Sequence, residues 1–327
     1  MSSERGRDYL EEIAENMGLP ITERDIDRYS DHHPDSANVK PIQEFEQRVI
    51  DHILMPESEK GMLMPWTKTH SYFRFRAGEL TVWTGVRGHG KSAFLNMVLL
   101  GLAQQGKKSC ICSFEMKAED TIPRLCSQWT GIEESKLPIP EIKNFFQAHT
   151  DKLYIYDQVG SVNTQRVLAL AKFCAIDLQL DHLVIDSLMK CRIGSDDYSK
   201  SELFVNDLQN IAKDYGIHIH LVAHQTKDME SGSENSIRGS GMIPDIADNI
   251  WEIKKDTEKF EKEADGLLDY LDNKKYQDFT AKLLKQRHST IIVPRKFGFW
   301  AHNSMQFLPR FGMPPMTSDD WRESRWM

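Results

Sequence analysis

The chain has 327 residues, more than one average domain, although α/β domains often extend beyond about 200 residues. Its formal net charge of −8 argues against a protein that binds nucleic acid through a globally basic surface, but a local basic channel is compatible with it. No stretch approaches the ~18 to 20 uninterrupted apolar residues of a membrane span, and the charged N-terminus does not resemble a signal peptide. Composition therefore predicts a cytoplasmic protein that contacts no membrane.

The first part of the chain, residues 1–60, is predicted to be an arm or docking linker rather than a second folded domain. Two short helical patterns, RDYLEEIAENMG and PIQEFEQRVIDHILM, flank the polar stretch YSDHHPDSANVKP, whose Asp, Pro, Ser and Asn residues favour turns and disorder. We therefore expect an arm that is partly helical or disordered. The pair His32 and His33 is expected to lie in a solvated loop rather than in a metal site.

From Gly61 onward, short β-rich runs alternate with helical patterns. The strand candidates are apolar throughout, as is typical of parallel strands buried on both faces: ELTVWTG, KSCICSF, KLYIYD, HLVIDSL and HIHLVAH. Between them, TQRVLALAKFCAIDLQL and SELFVNDLQNIAKDYG carry apolar residues at three- and four-residue spacing, as crossover helices do. This alternation predicts a doubly wound α/β core, a mostly parallel sheet with helices on both faces.

The remainder of the chain is predicted to extend this core and then to end in a tail. After NIWEIKK, the charged run DTEKFEKEADGLLDYLDNKKYQD is expected to be a solvated insertion. Two further strand-like pieces, FTAKLLKQR and TIIVPRKFGFW, are expected to extend the sheet at one edge. We predict one domain over residues 61–312 and a flexible C-terminal tail over residues 313–327.

The cysteines form no C-x-x-C pair, and four of the five lie in or beside apolar segments. We therefore expect reduced core thiols rather than a zinc site. The five residues are Cys110, Cys112, Cys126, Cys174 and Cys191.

The stretch GVRGHGKS has the spacing of the phosphate-binding loop, G-x-x-x-x-G-K-[ST], between a predicted strand and a predicted helix. Its glycines allow a tight turn that directs backbone N–H groups at phosphate oxygens, and the positive end of the following helix faces the same anion. The pattern predicts a site for ATP, or another NTP or dNTP, with Mg²⁺; the alternative is a glycine turn that happens to carry Lys and Ser. The candidate nucleotide-binding residues here are Gly85, Val86, Arg87, Gly88, His89, Gly90, Lys91 and Ser92, with Lys91 on the terminal phosphates and the Ser92 hydroxyl on Mg²⁺.

Polar residues end three of the predicted strands, at the edge where ligands bind in open α/β sheets. Asp186 ends HLVID and can hold Mg²⁺, largely through water, or can cap a loop. Glu115 follows KSCICSF and can polarise an attacking water, although a surface Glu at a strand end is the common case. His224 and Gln225 follow another strand, where a polar side chain can touch the γ-phosphate and report its loss; a satisfied buried histidine is the alternative.

These pieces, in this order and followed by SIRGSGMIPDIADNIW and LLKQR, closely resemble the RecA-like ATPase domain of replicative hexameric helicases. The resemblance is to the DnaB type, nearer to the Twinkle and phage helicase-primase branch, and it covers roughly residues 61–310. The phosphate loop alone is shared by a great many ATPases, but the set SFEM, VIDS, AHQTK and RGSG…D-x-AD is much more specific. The resemblance implies a RecA-like P-loop NTPase core.

The resemblance also implies roles for the residues that match the family's motifs. Lys91 and Ser92 keep the phosphate and Mg²⁺ roles, Glu115 becomes the catalytic base, Asp186 the metal-side carboxylate and His224 the γ-phosphate sensor.

Three further roles follow from matching positions nearer the C-terminus. Arg287 in KQR falls at the family's arginine finger, with Lys285 beside it, and both are expected to act on the nucleotide held by the neighbouring subunit. Trp300 matches an aromatic position that stacks on the base, and Lys255 a basic position on its other face; Trp300 as a plain core aromatic is the competing interpretation. The sequence departs from the family where HSTIIVPRKFG replaces its Gly-rich hairpin.

The family's DNA-contacting loops follow two of these strand ends and read here MKCRIGSDDYSKSE and QTKDMESGSENSIRGSG. In six copies around a channel, their sparse basic residues would form a basic lining that the net charge hides. The candidate DNA-binding residues are Lys190, Arg192, Lys200, Lys227 and Arg238.

The leading hypothesis is an ATP-dependent replicative DNA helicase, a homo-oligomer expected to form a hexameric ring on single-stranded or forked DNA. The alternative is a RecA-like DNA-binding ATPase that coats or remodels DNA without unwinding it. A small-molecule phosphotransferase lacks support, because such kinases need an arginine-rich lid and EKEADGLLDYLDNKK offers only scattered lysines. A polymerase, primase or loader is the expected partner of the arm or of the tail, where DDWRESRWM supplies tryptophan anchors; a frayed C-terminus is the alternative.

Overall fold

The computed structural model describes residues 39–56, 60–191, 198–225, 243–267, 270–288 and 292–323. The chain divides into two compact units, Met1–Pro56 and Glu57–Met327. None of the helices in the described ranges is both long enough and apolar enough to cross a membrane.

The described part of the first unit is helical. A 3-10 helix, Ile42–Phe45, leads into helix α1, Glu46–Leu54. The second of the two helical patterns predicted for the arm is therefore confirmed. The other pattern, and the pair His32 and His33, lie outside the described residues, and the arm boundary at residue 60 stays a prediction.

The second unit is built on one sheet, whose nine strands in the described residues lie in the order β3-β2-β4-β5-β1-β6-β7-β8-β9. The strands from β3 to β6 in this order run parallel to their neighbours, and β7, β8 and β9 are antiparallel. The bounds are β1 Leu80–Thr84, β2 Ser109–Ser113, β3 Leu153–Ile155, β4 His182–Asp186, β5 His218–Val222, β6 Asn249–Lys255, β7 Phe279–Gln286, β8 Arg295–Ala301 and β9 Phe307–Leu308.

Helices cover the sheet because its central strands have no face that tolerates water: β1 and β5 are buried at every residue. The helices of this unit are α2 Lys91–Gln104, α3 Ala118–Thr130, α4 Ile139–His149, α5 Thr164–Ile176, α6 Tyr198–Tyr215, α7 Ile243–Ile246, α8 Thr257–Ala264, α9 Tyr270–Lys275 and α10 Ser318–Arg322. Two separate apolar clusters result, one containing residues of α2 and α3 and the other residues of α5 and α6. The predicted doubly wound, mostly parallel fold is confirmed.

The antiparallel strands extend the sheet beyond β6. β7 pairs with β6 and β8 pairs with β7, which confirms the predicted extension by FTAKLLKQR and TIIVPRKFGFW. The β6–β7 register shifts at Ile250/Trp251. The consecutive residues Leu283 and Leu284 are both buried, one in each apolar cluster, because successive strand residues face opposite sides of a sheet that is covered on both.

The charged run after β6 is more than the predicted solvated insertion, because it contains α8, α9 and a buried ion pair. The Lys259 side chain of α8 is 4% exposed, and its Nζ lies 2.5 Å from Asp278 Oδ1, just before β7. The same ammonium donates to the Tyr276 carbonyl oxygen at 2.8 Å. Because a buried charge is costly unless it is paired, this contact fixes the insertion to the start of β7.

Residues 313–323 pack against the rest of the second unit. They therefore do not form the flexible tail predicted from residue 313. Helix α10 begins with a capping box between Thr317 and Asp320. Trp321 is fully buried, and its Nε1 donates to the Gln128 carbonyl oxygen at 3.3 Å. Trp321 is therefore not available as the partner anchor predicted from DDWRESRWM. Residues 324–327 lie outside the described residues.

All five cysteines are buried and free, which confirms the predicted core thiols. Burial raises the pKa of the Cys126 and Cys191 thiols to about 12. These thiols are therefore neutral side chains that pack as small apolar groups.

Candidate nucleotide site

The loop between β1 and α2 lies at the carboxyl edge of the parallel strands, and two of its glycines are required by geometry. Gly85 has φ +140°, and a Cβ atom there would lie 2.2 Å from the Ile253 carbonyl oxygen. Gly90, with φ +81°, is packed so closely that a Cβ atom would lie 3.2 Å from Phe279 and 3.3 Å from Phe307 ring atoms. Only glycine tolerates both conditions, so the local sequence produces a tight turn into the N-terminus of α2.

Lys91, the first residue of α2, points back into this loop. Its Nζ donates to the carbonyl oxygens of Gly85 at 2.8 Å and Val86 at 3.0 Å. Burial lowers the pKa of Lys91 to about 8, while the carboxylates of Asp186 and Glu115 act in the opposite direction. The ammonium is thus positioned inside the loop and close to two acidic groups.

Ser92 and Asp186 form a direct contact between α2 and the end of β4. Ser92 Oγ donates to Asp186 Oδ2 at 2.5 Å. Burial raises the pKa of the Asp186 carboxyl, the Ser92 hydrogen bond lowers it, and the charge of Glu115 raises it. A hydroxyl and a carboxylate are the oxygen ligands with which Mg²⁺ is bound beside substrate phosphates and water, so this pair fits the predicted metal.

Glu115 and His224 come from different strand ends and lie near each other beside Asp186. The Phe114 amide donates to the Asp186 carbonyl oxygen at 2.8 Å, which continues the β2–β4 pairing and places Glu115 at the edge. The Ser187 hydroxyl donates to Glu115 Oε1 at 3.3 Å, and His224 Nε2 lies 4.0 Å from the same oxygen. The structure therefore brings together the three polar strand ends that the sequence indicated. A carboxylate held in this way can orient and deprotonate a water molecule.

Gln225 connects the end of β5 to the loop and to β6. Its amide N–H donates to the Gly85 carbonyl oxygen at 3.4 Å, and its Nε2 donates to Glu252 Oε1 at 2.5 Å. These two contacts link the end of β5 to the phosphate loop and to β6.

The two residues predicted to contact the base also lie at the carboxyl edge, attached to the insertion. The Lys255 amide donates to His89 Nδ1 of the loop at 3.3 Å, and Lys255 Nζ lies 3.8 Å from the centroid of the Phe260 ring. Trp300 is partly buried against the core, and its Nε1 donates to the Asn273 carbonyl oxygen at 3.0 Å. Trp300 thus makes core contacts while keeping one part of its ring accessible.

Arg287 and Lys285 lie at the opposite edge of the sheet. Thr81 at the start of β1 pairs with Asn249 of β6, which pairs with Gln286 at the end of β7. The phosphate loop follows the other end of β1, five residues away, or roughly 16 Å at the rise of a parallel strand. The structure does not bring Arg287 to the phosphate loop of its own chain.

Both cations bind main-chain carbonyls at the end of the short helix α7. Lys285 Nζ donates to the Asp245 carbonyl oxygen at 3.2 Å. Arg287 Nη2 donates to the carbonyl oxygens of Asp245 and Ile246, the second at 3.2 Å. Carbonyls at a helix end lack intrahelical partners, so these side chains satisfy them.

Comparison with known families identifies the kind of domain to which this arrangement belongs. Residues 71–305 match the family described as the DnaB-like helicase C terminal domain. The chain is a member of this family. The match covers well over half of the chain and confirms the resemblance to the DnaB type.

Two solved structures are similar in fold. One, described as an ATPase domain, matches with a TM-score of 0.66 at 14% sequence identity, covering 83% of this chain and 99% of that one. A DnaB-like replicative helicase, solved to study its interactions with primase, matches with a TM-score of 0.62 at 14% identity, covering 83% of this chain and 67% of that one. At this identity the likeness concerns the fold, which is the RecA-like helicase ATPase fold.

The residues predicted to contact DNA are only partly described in this DnaB-like domain. Lys190 ends a 3-10 helix, Leu188–Lys190, directly after β4, and Lys200 is exposed in the first turn of α6. Arg192, Lys227 and Arg238 lie outside the described residues. Their roles stay predictions.

The sequence analysis assigned no role to three buried charged residues, Asp248, Glu252 and Lys259, although Asp248 is part of the D-x-AD motif. Asp248 immediately precedes β6, and Glu252 lies inside it among the apolar residues of IWEI. A carboxylate inside an apolar run is a usable signal, because it can be buried only with a partner. Lys259 carried no such signal, since it stands in a charged stretch.

Proposed function

We propose that this DnaB-like domain is a ring-forming, ATP-dependent DNA helicase that translocates on single-stranded DNA and hydrolyses nucleotide between subunits. The observation that supports this most is the separation of Arg287 from the phosphate loop by the length of β1. Arg287 can therefore complete only a site that another copy of the chain holds, and a ring of heterologous interfaces supplies such a neighbour.

In this proposal Lys91, Ser92 and Asp186 hold the triphosphate and its metal. Lys91 donates to the terminal phosphates in place of the loop carbonyls. An anionic phosphate raises the lowered pKa of Lys91 again, because an opposite charge favours the protonated form. Bound Mg²⁺ supplies neutralisation of the charge that develops on the transferring phosphoryl group.

Glu115 is proposed to be the general base and His224 the γ-phosphate sensor. Glu115 would orient and deprotonate the attacking water, and the nearby Ser187 hydroxyl and His224 ring hold its carboxylate in place. His224 and Gln225 directly precede the second proposed DNA-contacting loop, so loss of the γ-phosphate is passed to that loop through the Gln225 contact with Gly85.

Arg287 is proposed to act in trans on the phosphates held by the neighbour, with Lys285 beside it. Such an arginine stabilises the charge of the transition state and makes hydrolysis depend on assembly. Trp300 and Lys255 are proposed to contact the base.

A hexamer is the proposed assembly. Six copies bring Lys190, Lys200 and the other predicted basic residues to a central channel, where sequential hydrolysis moves them along the phosphate backbone. A primase is proposed as a partner of the arm, because one structural relative was solved to study its interactions with primase.

Substitution of Arg287 by alanine tests the proposal. We expect steady-state hydrolysis to fall by roughly 10³-fold or more, while binding of a fluorescent ATP analogue changes little, because an arginine that acts in trans contributes chiefly to the transition state. Arg166→Ala, which removes an exposed arginine from α5, is the matched control and should retain activity.

Two outcomes would contradict parts of the proposal. Equal loss of hydrolysis and binding in Arg287→Ala would contradict a trans-acting arginine. Hydrolysis by the wild-type chain without displacement of a strand from forked DNA would favour an ATPase that remodels DNA without unwinding it.

A further inference from the structure

The edge at which the parallel strands begin, opposite the phosphate loop, is called the amino edge here. Asp248 is a buried carboxylate at this edge, between α7 and β6. It is 0% exposed. Its Oδ2 accepts from the Leu80 amide, at the start of β1, at 2.9 Å, and the Gln209 amide group of α6 lies 3.3 Å from both of its oxygens. The carboxylate is therefore fixed by two elements of the parallel core and has little freedom to move.

The remaining contacts of Asp248 reach the end of β7. Its Oδ1 lies 3.2 Å from Arg287 Nη1, and its carbonyl oxygen accepts from the Arg287 amide at 2.8 Å. His288 Nε2 lies 3.7 Å from the same Oδ1. Asp248 thus binds both the backbone and the guanidinium of Arg287, whose side chain is 33% exposed.

The guanidinium is planar and carries its donors in a fixed fork, so its contacts define its orientation. Nη1 faces the Asp248 carboxylate, whereas Nη2 faces the carbonyl oxygens of Asp245 and Ile246. Of these acceptors only the carboxylate is charged. Because an ion pair adds an attraction between opposite charges that the neutral carbonyl oxygens lack, the carboxylate contributes most to holding the fork.

We infer that Asp248 is the positioning residue for Arg287: it fixes the guanidinium relative to the rigid core, so that the arginine is presented to a neighbouring chain in one orientation. This inference rests on the proposed function, because it assumes that Arg287 acts in trans. Asp248 touches no phosphate in this scheme and acts only through Arg287.

A double-mutant cycle between Asp248→Asn and Arg287→Ala tests the inference. The asparagine keeps an oxygen for the Leu80 amide but removes the charge. We expect Asp248→Asn to lower kcat about tenfold with little change in KM, since misplacing a group that acts only in the transition state leaves substrate binding intact. In the Arg287→Ala background the same substitution should cause no further loss.

Glu79→Gln is the matched control. Glu79 is a second buried carboxylate at the same edge, and its Oε2 accepts from the Asn249 side chain at 2.8 Å rather than from Arg287. We expect this change to leave kcat within about twofold of the wild type, because it alters the charge of the edge without touching the arginine.

The outcomes separate the inference from the proposed function. If Arg287→Ala hydrolyses ATP normally, the trans arginine itself is wrong. If Arg287→Ala is impaired but Asp248→Asn is fully active, or lowers kcat by the same factor in both backgrounds, only the positioning role is overturned. Should Asp248→Asn fail to fold, Asp248→Glu keeps the charge but displaces it, and the same absence of a further loss is expected in the Arg287→Ala background.

Discussion

The two edges of the parallel sheet hold their charged groups in different ways. At the carboxyl edge, Lys91, Asp186 and Glu115 come from three separate segments and converge on one backbone loop, where the charge of Glu115 favours a higher pKa of both Lys91 and Asp186. At the amino edge, Asp248 and Arg287 form an ion pair supported by main-chain carbonyls. The first edge gathers groups of both signs around a loop suited to an anion, whereas the second neutralises its cation within the fold.

Under the proposed function, this difference means that one folded chain supplies two halves of different sites rather than one complete site. The parallel core positions Asp186, Glu115 and His224 by strand register, and the glycine turn before α2 positions Lys91. The antiparallel extension then carries Arg287 away from them, to the far end of β7. Under the proposed function, each chain therefore gives its arginine to one neighbour and receives another arginine at its own phosphate loop.

Mixing two inactive variants is the strongest test of whether the two edges serve neighbouring chains. Lys91→Ala and Arg287→Ala should each reduce hydrolysis by at least about 100-fold when assayed alone. An equimolar mixture should recover activity, up to about one quarter of the wild-type rate for interfaces that act independently and less where hydrolysis is coupled around the ring, because random assembly gives a quarter of the interfaces both an intact lysine and an intact arginine. Steady-state ATP hydrolysis at a series of mixing ratios measures this recovery.

The control for mixing uses two variants of the same edge. Lys91→Ala mixed with Glu115→Ala should not recover, since no interface regains both residues of the carboxyl edge from one chain. Recovery in this control, or none in the first mixture, would mean that the two edges do not serve neighbouring chains.

The insertion offers a sharper test within the carboxyl edge. Lys259→Met removes the ammonium that fixes α8 and α9 to Asp278, whose other oxygen accepts from the Ala301 amide next to Trp300. We expect KM for ATP to rise about tenfold, equivalent to about 1.4 kcal/mol, because the proposed base contacts lose their support, with kcat changed much less. Steady-state kinetics at varied ATP gives both constants.

Lys262→Met is the control for the insertion. Lys262 lies on the same helix but pairs with exposed Glu258, so its loss should change neither constant. A fall in kcat at constant KM in Lys259→Met would contradict a role of the insertion in binding the base. It would indicate instead that the insertion affects the hydrolysis step.

The smallest expected effect concerns three histidines near the amino edge. The Trp83 indole donates to His220 Nδ1, so His220 Nε2 carries the proton shared with His182 Nδ1 at 3.1 Å. Burial lowers the pKa of all three rings, that of His218 to about 4. Because the unfolded chain takes up these protons near pH 6.5, stability is complete above that pH and falls as the pH decreases below it.

Urea unfolding at pH values between 7 and 5 measures this loss. His182→Gln should reduce the slope of unfolding free energy against pH by about 1 kcal/mol per pH unit, because one proton fewer is taken up on unfolding. His52→Gln, which changes an exposed histidine of α1, should leave the slope unaltered. A steep slope that persists in His182→Gln would assign the acid sensitivity to other groups.

The parts of the fold that could be predicted from the sequence are those set by local patterns. The spacing of Gly85, Gly90 and Lys91 indicates the phosphate loop because the turn requires those residues at those positions. The apolar runs predict the parallel strands, and their polar ends predict the meeting of Asp186, Glu115 and the residues after β5, since parallel strands share one carboxyl edge.

The rest depends on contacts between residues far apart in the chain, which no local pattern contains. Trp321 stands in a polar stretch, yet its indole bonds to Gln128, 193 positions earlier. Lys259 looks solvated until the fold places Asp278 beside it. Arg287 lies at the amino edge because β7 runs antiparallel to β6. The sequence alone identifies the arginine but does not indicate the edge at which it lies.

Strand β7 is held at both of its ends by buried carboxylates, and this fixes the number of residues between them. One end of β7 is anchored by Asp278 and the other by Asp248, with eight strand residues, roughly 27 Å, between them. Inserting or deleting one residue in β7 would turn every following side chain to the other face of the sheet. Arg287 would then lose its contact with Asp248. In this chain the two anchors therefore constrain the number of residues in β7 as well as their identity.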